Sequence, residues 1–259
     1  MGTVPEKTVC ADGTEEWIVD GQFHRVDGPA KTTPDGGMFW FFNGKPHRTD
    51  GPAFIYPNGT KEWYLHGSLH RVDGPAVIDA LGYEAWWSNG LRHRTNGPAV
   101  CGPQYTAWYI GDNLHREDGP ARTWASGTQE WYFAGFHHRA DGPAITHPNG
   151  IQEWYLNGER HRADGPAVIE PDGYQEWWFN GQQHRADGPA LICPDGYEAW
   201  YFEDKIHRAD GPAVIWPDGS EFWYINGQLH RDDGPAVMPA DGVSEWWLNG
   251  ELSPAPYMP

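Results

Sequence analysis

The chain has 259 residues, with 18 Lys and Arg against 36 Asp and Glu, a formal charge of −18. Its 33 Gly and 23 Pro approach a low-complexity content, yet aromatics make up 15%, and disordered chains lack the aromatics that a core would bury. Disorder is excluded, and so is an ordinary globular enzyme built on long helices.

The first residues, MGTVPEKTVC, show neither the basic nor the apolar region of a secretory signal. Glu6 stands where myristoylation wants Ser or Thr. No apolar run approaches the ~18 residues of a membrane span. Cys10, Cys101 and Cys193 are few and lack metal-ligand spacing. Together these features predict a cytoplasmic protein without a membrane span, in a reducing compartment. The acidity argues against nucleic-acid binding through the phosphate backbone, which wants a basic footprint.

In chain order, residues 7–17 read as half a repeat ending at Trp17. Ten copies of His-Arg-x-Asp/Asn-Gly-Pro-Ala follow, beginning at His24, His47, His70, His93, His115, His138, His161, His184, His207 and His230. The period is 23 residues, except for 22 between His93 and His115. Each copy is preceded by a Trp seven residues before its His, and with Trp246 of the final half-repeat 11 of the 16 Trp, from Trp17 to Trp246, form one ladder. Residues 245–252 are again half a repeat, and 253–259 are a tail.

Within a repeat, Asn-Gly pairs such as Asn157-Gly158 are the strongest two-residue hairpin signal, because a type I′ turn needs φ > 0 at both central residues. Pro-Asp-Gly stretches such as Pro171–Gly173 mark a second turn. Between the turns lie an aromatic arm, Glu153–Leu156, and an aliphatic arm, Ala167–Ile169. Gly or Pro interrupts any helix. The expected fold is all-β: an elongated, twisted, solenoid-type array of about ten antiparallel hairpin repeats with half-repeat caps, forming one domain over residues 1–252. Each repeat is expected to supply two strands, and the Trp ladder to pack in the core.

A tandem 23-residue hairpin unit with Asn-Gly turns, Trp/Tyr pairs and Asp-Gly turns resembles the MORN repeat family, and most closely its variant form W-Y-x-N-G-x-x-H-R-x-D-G-P-A. That phrase stands at Trp154–Ala167, Trp177–Ala190 (with Trp178 in the Tyr place) and Trp223–Ala236. The resemblance implies an antiparallel hairpin array with a binding or scaffolding role towards protein partners. Variant repeats of this kind are familiar in bacteria, their phages and large viruses. The standard repeat has Gly after the His, where this chain has Arg.

Chemistry-bearing residues recur rather than converge, which is unlike an active site, and the chain is read as non-enzymatic, without cofactor. The row Arg94, His138, Arg139, His161, Arg162, His184, Arg185, His207 and Arg208 is the candidate surface for a partner or an anion such as a phosphorylated small molecule. In the bland reading, the Asp two residues after each Arg closes its own turn and pairs with the Arg. Ten Arg against nine such Asp leave this motif at +1, so about −19 lies elsewhere. Asn96 alone replaces the Asp and leaves Arg94 without its acid. Equivalent His would lie about 9–10 Å apart at two strand spacings, too far to share a metal, and the His137-His138 doublet points both ways from a strand, so no metal site is expected. Trp124, Trp216, Tyr155, Trp178 and Tyr201 are candidate exposed aromatics, which suggests a third reading, a glycan or cell-surface binder. The leading expectation is a protein-binding scaffold or inhibitor, with ligand sequestration, including a phage anti-defence role, as the alternative.

Overall fold

Gly and Pro recur too often for a helix to propagate, so the backbone must find its hydrogen bonds between segments. The computed structural model describes residues 4–254 and contains strands alone, 42 of them among those residues. Residues 255–259 of the tail lie outside the described residues. The chain forms two compact units. One comprises Met1–Gly127 with Tyr132–Gly135, the other Thr128–Trp131 with Phe136–Pro259.

The second unit shows the repeat clearly. Gln152–Glu153 and Val168–Ile169 pair antiparallel, with Glu153 opposite Val168, and Val168–Ile169 pairs on its other side with Gln175–Glu176. This alternation continues to Val237–Met238. Branching from the ladder, Tyr155–Leu156 pairs with Glu159–Arg160 across Asn157-Gly158. Their φ values of 53° and 88° are those that a type I′ turn demands. The opposite turn is closed by Gly173 donating to the Glu170 carbonyl and by Tyr174 N–H donating to Asp172 Oδ1 at 3.0 Å. The first unit repeats the pattern, as in Lys61–Glu62 with Val77–Ile78 and Tyr64–Leu65 with Ser68–Leu69.

The all-β hairpin repeat is therefore observed, but two details differ from expectation. A typical repeat supplies four strands of two residues, as at Gln152–Glu153, Tyr155–Leu156, Glu159–Arg160 and Val168–Ile169, not two longer ones. The arm Glu153–Leu156 is cut at Trp154, which leaves the ladder and starts the hairpin. Trp154 N–H donates to the Ala167 carbonyl at 2.8 Å, and its own carbonyl accepts from His161 N–H at 3.1 Å. A residue bonded in this way to the flanking loop cannot also serve the ladder.

The Trp ladder contributes to the core only in part, as where Trp86 packs against the buried Ala85, Ala99, Val100, Ala107 and Tyr109. Every ladder Trp is half-buried. The fully buried row is the Ala of Gly-Pro-Ala, at 0% exposure from Ala30 through Ala236. Ala190 shows why: its carbonyl accepts from Trp177 N–H and its N–H donates to the Ala199 carbonyl. Backbone is bonded on both sides of this position, and only a methyl group fits between.

Candidate functional site

The segment His-Arg-x-Asp-Gly-Pro runs from the hairpin back to the ladder. Its Pro lacks an N–H and its Gly lacks a side chain, so the segment loops outward instead of pairing. Arg162 is the pivot of one such loop. Its guanidinium lies over the Trp154 ring, 4.1 Å from the centroid, its Nε donates to Asp164 Oδ1 at 2.9 Å, and its Nη1 donates to the Pro166 carbonyl at 3.1 Å. The arrangement recurs at Arg25, Arg48, Arg71, Arg94, Arg116, Arg139, Arg185, Arg208 and Arg231, with 3.9–4.3 Å to the ring.

The following Gly completes the seat. A Cβ placed on Gly165 would sit 3.0 Å from Arg162 Cζ, and on Gly188 only 2.7 Å from Arg185 Cζ. The guanidinium thus occupies the space that any side chain at this position would need. The available sequence signal was spacing: Trp eight residues before each Arg and Gly three after.

The carboxylates point outward. Asp164 and Asp187 have side chains 84% and 86% exposed, whereas Arg162 and Arg185 are 23% and 24% exposed. The hydrogen bond from Arg162, and then its charge, hold the Asp164 carboxyl below its ordinary value of 3.8. The same holds for the corresponding Asp of the other acid-bearing repeats, from Asp27 to Asp233. Arg94 differs: its Nε reaches Asn96 Oδ1 at 3.4 Å, a long contact between an ion and a neutral amide.

The His residues knit neighbouring repeats together. His161 Nδ1 accepts Asn180 N–H, and His138, His207 and His230 Nδ1 accept Asn157, Asn226 and Asn249 N–H, all at 3.1 Å. His184 instead packs between Phe179 and Phe202, with ring centroids 6.3 and 4.5 Å away. Burial, and then the charge of His66, lower the pKa of His47 from 6.5.

Grooves open between consecutive loops. In the second unit, one of about 730 Å³ lies between the Arg162 and Arg185 loops, with Trp177, Phe179 and His184 in its lining and Asp164 and Asp187 beside it. Another of about 720 Å³ lies between the Arg139 and Arg162 loops and includes Leu156 and His161. The first unit has equivalents between Arg48 and Arg71 and between Arg71 and Arg94. The structure therefore brings Arg139, His161, Arg162, His184 and Arg185 of the candidate row to grooves. Arg94 lines the groove that contains Asn96. His138, His207 and Arg208 hold the same positions in their own repeats.

The candidate exposed aromatics need correction. Trp216 is exposed, with its ring edge-on to Tyr197 at 5.2 Å. Trp124, Tyr155, Trp178 and Tyr201 are half-buried. Because the chain turns at the ladder Trp, the next residue does not point to solvent. Trp178 Nε1 donates to Glu176 Oε2 at 2.8 Å, and Tyr155 OH donates to Glu153 Oε2 at 3.0 Å. The exposed row is instead one residue further on: Phe133, Phe179, Phe202 and Leu248, with Phe42 and Ile110 in the first unit's earlier repeats.

Among the described residues, no group of three or more His, Cys, Asp or Glu side chains is arranged to hold a metal ion, and no helix is long and apolar enough to cross a membrane. No family model matches the chain, and no curated protein matches its sequence.

Gly188 has no positive φ, so Gly188→Ala would ordinarily stabilise by reducing the freedom of the unfolded chain. Here the new Cβ displaces Arg185 from Trp177, and the expected effect is a loss of about 1 kcal/mol. Denaturant unfolding checks this sign. In an Arg185→Met background the penalty should shrink; an undiminished penalty would show that the clash is not with Arg185.

Acid should weaken the fold in two steps. His47 has a folded pKa below 6.5, so its contribution is complete above 6.5 and is lost as the pH falls below that value. The Arg-bonded Asp residues contribute above 3.8 and lose that contribution as the pH falls through and below 3.8. Thermal melts from neutral to acid pH would record both declines, and the first should be absent in His47→Gln.

Proposed function

We propose that this chain is a non-catalytic repeat protein of the MORN-variant kind, acting as a scaffold or inhibitor that binds a protein partner across its His-Arg-x-Asp-Gly-Pro loops. The observation that carries this reading is repetition of the surface itself. The same groove, with ladder Trp, an apolar residue or Ser, and His, recurs between loops in both units. Catalysis concentrates unlike groups at one point, whereas a surface that repeats suits a ligand contacted many times. Avidity over several weak grooves supplies affinity that no single groove could. A photo-crosslinking residue at Ala186, in the groove lining, should capture a partner from lysate of the source cells, and the same residue at Asp172, in the opposite turn, should not. Equal capture at both positions would overturn the reading.

One observation favours a second reading, a phosphorylated small molecule. The groove of about 640 Å³ between the Arg71 and Arg94 loops contains Asn96 in place of a carboxylate, with Thr95 and Ser88 hydroxyls and His70 and His93 nearby. It is the place where a phosphate meets a guanidinium with no acid of its own. If this groove takes such a ligand, Asn96→Asp should abolish phosphate-dependent binding measured by calorimetry, while the fold is retained. Unchanged binding would exclude the groove.

A further inference from the structure

The loop face carries more chemistry than a general partner surface requires, and three of its features point to one kind of occupant. The first is charge placement. The guanidiniums are turned inward onto Trp rings and Gly, and the carboxylates they hold are turned out, so each groove between acid-bearing loops presents two exposed Asp at its rim. The outer surface of a chain of charge −18 is thus acidic along the loops as well. The second is the aromatic lining. His161 and His184 make tilted ring contacts with Phe179, and His184 with Phe202, giving a row of neighbouring aromatic rings along the loop face. Phe179 and Phe202 remain 44% and 45% exposed. A groove lined by Trp, His and an apolar Phe or Leu beside two carboxylates suits a cation on an apolar or planar stem, which is the side chain of Arg or Lys.

The third feature is the period. Successive repeats advance by two ladder strands, about 9.4–9.8 Å. A polyproline II helix rises about 9.3 Å over the three residues of one turn, so every third side chain lies on one face at nearly this spacing. A β-strand partner, with side chains on one face about 6.6 Å apart, falls out of step.

We propose that the loop face binds an extended, basic polypeptide segment in polyproline II conformation, with Arg or Lys at every third residue entering successive grooves. This rests on the partner-binding reading and specifies its chemistry. Each cation would meet the two rim carboxylates of its groove, with its stem against the aromatic lining.

Fluorescence anisotropy with the full chain tests this, using three labelled peptides: repeated Pro-Pro-Arg, repeated Pro-Pro-Glu, and the same Pro and Arg residues segregated into two blocks. The expected result is binding of the first, roughly tenfold weaker binding of the block peptide, and none of the acidic peptide. Asp141→Asn, Asp164→Asn and Asp187→Asn together should weaken the first peptide roughly tenfold; Asn96 shows that the loop accepts Asn. Asp172→Asn, Asp195→Asn and Asp218→Asn remove the same net charge outside the grooves and should leave binding nearly unchanged. Equal binding of the regular and block peptides, equal loss in both triple variants, preference for the acidic peptide, or no binding at all would each overturn the proposal. The broader partner reading would still stand or fall on the crosslinking contrast between Ala186 and Asp172.

Discussion

The fold depends on how each repeat disposes of one guanidinium. An Arg in a loop next to a sheet has two broad faces and five N–H donors to satisfy. Here one face covers a Trp ring, the following Gly leaves room for the group, one N–H goes to a carboxylate and another to the Pro carbonyl. Residues separated by eleven positions, Trp177 to Gly188, are thereby held by a single side chain. The outward loop, which has no ladder pairing of its own, gains a fixed shape from this contact.

The relative weight of these contacts follows from exposure. A highly exposed carboxylate interacts through water and is screened by salt, so the ion pair contributes little. The stacked, half-buried ring contributes about 1 kcal/mol through the cation–π contact and also removes apolar surface from water. The repeat at Arg94 separates the two effects. It lacks the acid, yet keeps the shortest stack of the set, 3.9 Å over Trp86, with Gly97 and the Pro98 carbonyl in place. The loop therefore survives loss of the Asp, which frees that position to vary in charge while the Trp, Arg and Gly keep their packing roles.

Much of this was legible from residues 7–252, because in-phase turns leave few ways to fold. Asn157-Gly158 located its hairpin, and Pro171–Gly173 the opposite turn. The core was legible only in part, since the ladder Trp are half-buried and Trp86 packs against the buried cluster. Hydrophobicity pointed to the Trp ladder, but two-residue strands around a chain that changes direction at Trp154 leave no closed interior for an indole, and the buried position fell to Ala. The same change of direction defeated the two-fold alternation rule at Tyr155, Trp178 and Tyr201, which holds only while the strand continues. The charge of Arg162 drew attention to acid and anion, and carried no sign that its planar face covers Trp154.

A repeating surface also changes what specificity can mean for this protein. In a single pocket, discrimination comes from the fit of one group. Along a ladder of near-identical grooves it comes from spacing, since a mismatch in period accumulates from repeat to repeat while a match gains with every groove filled. Variation then acts as punctuation. Asn96 for Asp changes the charge of one position, and the 22-residue interval between His93 and His115 shortens one arm. Glu203-Asp204 replaces an Asn-Gly turn and draws Gln183 N–H onto Asp204 Oδ1 at 2.7 Å. Each departure alters what one repeat offers and leaves the Trp–Arg stack of that repeat intact. A chain built in this way can change its surface chemistry locally without renegotiating its fold.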